Sequence, residues 1–135
     1  MGDSMKTRTY ILGIAFILLF PVLEACHSSL APFEPVINNN TDSFQLKTTA
    51  GKDVDTTLTY TWESSFQTAN VNQACAITSG WATLVILDAN GAQVYSNDLK
   101  ANGTFATSAG ATGSWTIRVN LVKFSGTLNF RVQRP

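Results

Sequence analysis

The chain has 135 residues with nine basic and nine acidic side chains, so its formal net charge is zero and only 13% of it is charged. Its Lys and Arg are scattered rather than striped, which argues against neutralising a phosphate backbone and so against a nucleic-acid partner. The length suits one small domain.

Lys6 and Arg8 form a short basic region, and Ile11–Phe20 then runs without a polar side chain. Pro21, Val22 and Leu23 extend the run slightly. It is nearer the ~7–15 apolar residues of a signal-peptide core than the roughly 20 of a bilayer span. Leu23-Glu24-Ala25-Cys26 closes it. These four residues resemble the bacterial lipobox, although Glu24 stands where that family has a small or β-branched residue. The resemblance covers residues 5–26. It implies a lipoprotein: residues 1–25 are removed as a signal peptide, and Cys26 is acylated with palmitate-type chains. Membrane lipid is then the partner reached through Cys26. By resemblance to enterobacterial sorting, His27 in place of Asp after the Cys implies the outer membrane, where the cell has one. The other reading is a plain secretory peptide cut after Ala25, with no lipid.

The cysteines bear on that choice. Cys26 and Cys75 are the only two. If Cys26 carries lipid, Cys75 has no intrachain partner and reads as a small buried apolar side chain. If it does not, a Cys26–Cys75 disulfide becomes available.

Residues 26–42 read as the lipidated N-terminus and a tether. Pro32, Pro35 and the run Asn38-Asn39-Asn40-Thr41-Asp42 favour extended chain and turns over packed strands. The apolar cluster Leu30, Phe33, Val36 and Ile37 gives the segment a second reading, as a first edge strand folded back on the domain.

Residues 43–135 form the expected domain, and a two-residue period dominates it. Phe44 and Leu46 alternate with polar residues, as do Leu58, Tyr60 and Trp62. So do Trp115, Ile117, Val119 and Leu121, and then Leu128, Phe130 and Val132. Such alternation places one face in a core and one in water. Trp81–Leu87 is more apolar throughout, as a strand covered on both faces would be, with Val85 and Leu87 expected among the buried residues. Asn90-Gly91 signals a hairpin after it. A second hairpin is expected to turn near Ser125-Gly126. Residues 64–80 read either as a long loop or as a concealed strand near 71–78. The pattern predicts an all-β domain, a single sandwich or jelly-roll of seven to eight strands. Gly113–Val119 followed by Ser125–Val132 is similar to the closing strands of bacterial pre-peptidase C-terminal domains, which are small secreted β-sandwich accessory domains. That likeness implies a fold and no activity.

Most catalytic chemistry lacks its parts. His27 is the single histidine, so no His triad, His metal site or His base can form within the domain. Cys75 has no His partner, and there is no phosphate loop or dinucleotide fingerprint, so no cofactor is implied. Glu63 and Asp88, each ending an apolar strand, are the one carboxylate pair able to converge, but strand-end acids are commonly solvated turn residues. Asp53 and Asp55 are the calcium candidates, short by themselves of the six to eight oxygens calcium takes. Trp62 and Trp115 share parity with core positions. Phe66, Trp81 and Tyr95 remain as candidate ligand contacts. The reading is a non-catalytic, lipid-anchored envelope module that binds a partner protein or serves structurally at the membrane surface. The alternative is a carbohydrate- or ligand-binding module built on those aromatics, with calcium in support.

Overall fold

Alternating apolar and hydroxyl side chains become strand along most of residues 33–135, the part of the chain that the computed structural model describes. Nine strands follow one another: β1 (Pro35–Asn40), β2 (Ser43–Thr48), β3 (Gly51–Ser64), β4 (Asn70–Gln73), β5 (Ala76–Leu87), β6 (Gln93–Asp98), β7 (Gly103–Ala106), β8 (Gly113–Thr127) and β9 (Asn129–Gln133). They form a five-stranded sheet, in the order β1-β2-β9-β4-β7, and a four-stranded sheet, in the order β3-β8-β5-β6. Every pairing is antiparallel. The architecture is an all-β sandwich without helix among the described residues. The strand count exceeds the expected seven to eight because two unpromising segments contribute. Pro35–Asn40 pairs along β2 as an edge strand, and Asn70–Gln73 pairs between β9 and β7. The first is the edge strand that Val36 and Ile37 offered as a second reading, and the second begins the concealed strand offered as an alternative to a long loop.

The inner faces of the two sheets supply the core. Phe44 and Leu46 of β2 meet Phe130 and Val132 of β9 in register, and Phe44 stacks on Phe130 with centroids 6.1 Å apart. From the other sheet, Trp62 and Trp115 stand opposite each other and pack edge to face at 5.7 Å. Both indole N–H groups are satisfied: Trp62 donates to the Asn40 carbonyl and Trp115 to the Ala111 carbonyl. Leu58 and Tyr60, expected inside, are half-buried because β3 is the edge of its sheet.

Two local expectations are corrected. In Trp81–Leu87 the buried residues are Ala82, Leu84 and Ile86, and Val85 and Leu87 face partly outward. Apolar residues stand at both parities of this run, so the sequence could not choose between the two faces. The second correction concerns Ser125-Gly126. There is no hairpin there, because β8 continues to Thr127 and, after Leu128 alone, re-emerges as β9 in the other sheet. Gly126 has φ 137°, and a Cβ on it would lie 2.1 Å from the Ala76 carbonyl oxygen. Glycine is needed there for close passage of two backbones at a corner. The Asn90-Gly91 hairpin does form between β5 and β6. Only Gly91 takes positive φ, at 83°, and its N–H bonds the Asp88 carbonyl at 3.0 Å. This is a type I turn closed by a left-handed glycine rather than a two-residue primed turn.

One buried polar group holds the β4 end of the sandwich. Gln73, 1% exposed, accepts from the Tyr95 hydroxyl at 2.6 Å and donates to the carbonyls of Asp98 and Ala101. Gln73→Leu keeps the volume and leaves all three partners without Gln73. The expected loss is about 2–3 kcal/mol of unfolding free energy, read as a lower urea midpoint at unchanged slope. A midpoint equal to wild type would show that water replaces the amide.

Candidate functional site

The two ends of the sandwich differ, and the candidates other than Tyr95 and Cys26 fall at one or the other. At the end remote from Phe33, the β1–β2 turn brings Asp42 to the start of the β3–β4 loop. Asp42, at φ 64°, accepts from the Ser65 N–H at 2.7 Å and from the Ser65 hydroxyl. Its own N–H donates to the Glu63 carbonyl. The Ser65 hydroxyl, then its N–H, and more weakly Arg134, hold the Asp42 carboxyl below the usual carboxylate range. Glu63 accepts from the Ser114 hydroxyl. Thr41, Glu63, Ser64, Ser65, Thr112 and Gly113 line an open polar cleft of about 360 Å³ here. That volume is within the range of small-ligand sites, but such sites enclose their ligand, and this one is wide and shallow. It offers hydrogen bonds to a polar group without excluding water.

Asp88 does not line this cleft. Its carboxylate accepts backbone N–H groups from Asn90, Ala92 and Ala111, each at 2.9 Å, and so ties the β5–β6 turn to the strand-free segment before β8. The Ala111 N–H, then that of Ala92, hold its carboxyl below the usual carboxylate range against the opposing effect of burial. A carboxyl lowered in the folded state stabilises it fully above the unfolded value near 4, and the contribution is lost as pH falls through the folded value. Wild type should therefore lose stability steeply below about pH 4, and Asp88→Asn, weaker at neutral pH, should lose less on the same descent. Urea midpoints at pH 7 and pH 3 read the difference. Equal slopes would mean that Asp88 does not carry it.

The three aromatic candidates do not come together. Tyr95 is 8% exposed, with its hydroxyl committed to Gln73, so it offers no open ring face. Phe66, 39% exposed, lies two residues beyond Ser64, which pairs with Gly113. Trp81, 63% exposed, pairs with Val122. Gly113 and Val122 are nine residues apart on β8. At about 3.3 Å per residue that is about 30 Å, too far for one flat platform. Of the candidate calcium ligands, only the Asp55 carboxylate accepts a hydrogen bond among the described residues, from a backbone N–H. Asp53, at φ 50°, has its N–H on the Ser125 hydroxyl, and Asp55 accepts the Lys123 N–H at 2.9 Å across a bulge. Among the described residues no three His, Cys, Asp or Glu side chains gather as a metal site. Cys26 lies outside the described residues.

The feature missed from sequence is the partner of Trp81. Val122 is 48% exposed directly opposite it, making an apolar pair on the outer face of the four-stranded sheet. Strict alternation from Leu121, which is buried, does point Val122 outward. Its pairing with Trp81 depends on a long-range register that no local pattern carries.

No family model matches this chain. No curated protein matches it either. Among solved structures, one similar chain belongs to the "Crystal structure of accessory secretory protein 1,2 and 3 in Streptococcus pneumoniae". The likeness covers 75% of this chain and 85% of that one, at 11% identity and a TM-score of 0.40. A likeness that distant assigns no function.

Cys75 is buried and unpaired. Its Sγ accepts the Asn129 N–H at 3.3 Å, and its backbone is held by both ends of the Asn102 amide. Burial pushes its thiol up, only partly offset by the Asn129 N–H. A raised, buried thiol is a poor nucleophile. Native protein should leave Cys75 unlabelled by a thiol reagent at mildly alkaline pH, and urea should expose one equivalent. Rapid labelling of Cys75 without denaturant, located by peptide mass mapping, would contradict the packing.

Proposed function

We propose that the chain is a non-catalytic, lipid-anchored module of the cell envelope, whose sandwich meets a partner protein or serves structurally at a membrane surface. The observation that carries this reading is the kind of surface the domain presents. It has an exposed apolar pair, Trp81–Val122, and a free sheet edge, alongside a cleft too open to enclose a small molecule. The edge belongs to β3. The carbonyls of Thr61 and Glu63 take donors from Asn39 and Asp42, but the stretch Thr56–Tyr60 has β8 on one side and, among the described residues, no strand paired on the other. Edges of this kind accept an added strand from a partner. The lipid anchor rests on Leu23-Glu24-Ala25-Cys26.

Intact mass of the protein extracted from membranes tests the anchor. The expected species begins at Cys26 and carries two or three acyl chains. A mass without acyl groups, or a Cys26–Cys75 disulfide, would make this a plain secreted domain.

A further inference from the structure

We infer that the Trp81–Val122 pair is a membrane-facing contact, through which the anchored domain lies against the lipid headgroup region. The inference rests on the anchored reading proposed above. Its first support is where the chain enters the domain. Phe33, the first described residue, packs edge to face on Phe124 at 6.1 Å and lies over Gly51, where a Cβ would meet its ring at 2.7 Å. Phe124 is two residues beyond Val122 on β8, about 7 Å along the strand. The chain therefore enters at the end of the four-stranded sheet that carries the apolar pair.

The second support is length. Seven residues lead from Cys26 to Phe33. At 3.3–3.6 Å each they reach no more than about 25 Å, less than the ~30 Å from Val122 to the opposite end of β8. A reach that short does not let an acylated Cys26 sit in a bilayer with the polar cleft turned straight toward it and the Trp81 end pointing away.

The third support is the local chemistry. Trp62 and Trp115 have satisfied N–H groups, but the Trp81 indole N–H donates to no group among the described residues. A ring with an apolar body and a free N–H suits the membrane interface. The backbone that presents it is specialised. Gly80 has φ 77°, and a Cβ there would lie 2.0 Å from the Lys123 carbonyl oxygen, so only glycine allows β5 and β8 to run this close. Lys123 itself takes φ 46° at the facing bulge. Bulges of this kind terminate regular pairing and aim the adjoining side chains. Lys52 and Lys123 against Glu34, Asp53 and Asp55 give this end no basic excess. Contact should therefore depend on the Trp81 ring more than on anionic lipid.

The test uses the full acylated protein in phosphatidylcholine vesicles. Trp81 is the one exposed tryptophan, so iodide quenching reads it directly. Iodide quenching should fall several-fold on the vesicles relative to soluble Cys26→Ser protein. Brominated phosphatidylcholine should quench the same component, and Trp81→Ser should abolish both effects while still floating with the vesicles. If the acylated protein floats and Trp81 stays open to iodide and untouched by brominated lipid, the contact is refuted and the anchor stands. Protein that does not float refutes the anchor and the contact with it. Shielding that rises with protein concentration in the absence of vesicles would assign the pair to a second copy instead, and overturn the inference.

Discussion

Trp115→Ala should unfold a large share of the protein at ordinary temperature. Trp115 is fully buried near the start of β8, the strand that runs between β3 and β5. Its ring meets Trp62 edge to face, and its N–H closes onto the Ala111 carbonyl at 2.7 Å. Truncation removes the ring, leaves the Ala111 carbonyl with the Ala89 N–H alone, and opens a void that neighbouring strands cannot fill without breaking register. Losses for such a change run to about 3–5 kcal/mol, against a total of about 5–15 kcal/mol for a domain. A sandwich of about 100 residues belongs toward the lower end of that range. Trp115→Phe keeps most of the packing and should cost less, about 1–2 kcal/mol for the lost hydrogen bond and contact area. Urea midpoints and near-ultraviolet dichroism measure both. A loss below about 1 kcal/mol for the alanine variant would mean that the two indoles are not the centre of the core.

Cys26→Ser should move the protein out of the membrane fraction, or arrest it as a precursor that still carries residues 1–25. Each buried methylene contributes about 0.8 kcal/mol, and stable attachment needs more than one acyl chain or a second signal. The diacyl or triacyl cysteine implied by the lipobox resemblance meets that requirement unaided. The residues between Cys26 and Phe33 hold no Lys or Arg. The Trp81–Val122 pair is too small to retain the protein without the acyl chains. Redistribution should therefore be near complete, as seen by fractionation followed by immunoblotting. Full retention of a processed Cys26→Ser protein would point to an anchor elsewhere.

The strands that could be read in advance are those with an unambiguous two-residue period. Phe44 and Leu46, Trp115 to Leu121 and Leu128 to Val132 all face inward as their parity requires. Parity failed in Trp81–Leu87, where apolar side chains stand at both parities. It was also weak where a strand needed few apolar residues, as in Asn70–Gln73. The hairpin expected near Gly126 went astray for another reason. A glycine between two strand-like runs looks the same whether the chain turns back within one sheet or bends across to the next. The difference lies in the backbone of Ala76, fifty residues upstream. The site was legible to the same degree. Single exposed aromatics could be named, and Tyr95 was misplaced because its buried partner Gln73 reads as an ordinary polar residue. The pairing of Trp81 with Val122 lies beyond any local pattern.

The corner at Leu128 also governs when the molecule can fold. β8 lies between β3 and β5 in one sheet, and β9 lies between β2 and β4 in the other. Both come from one stretch, Gly113–Gln133, at the end of the chain. All four of those neighbours precede it in sequence, so until that stretch is in place β3 has no partner in its sheet and β2 and β4 are not joined in theirs. The two layers therefore close together, around one shared segment.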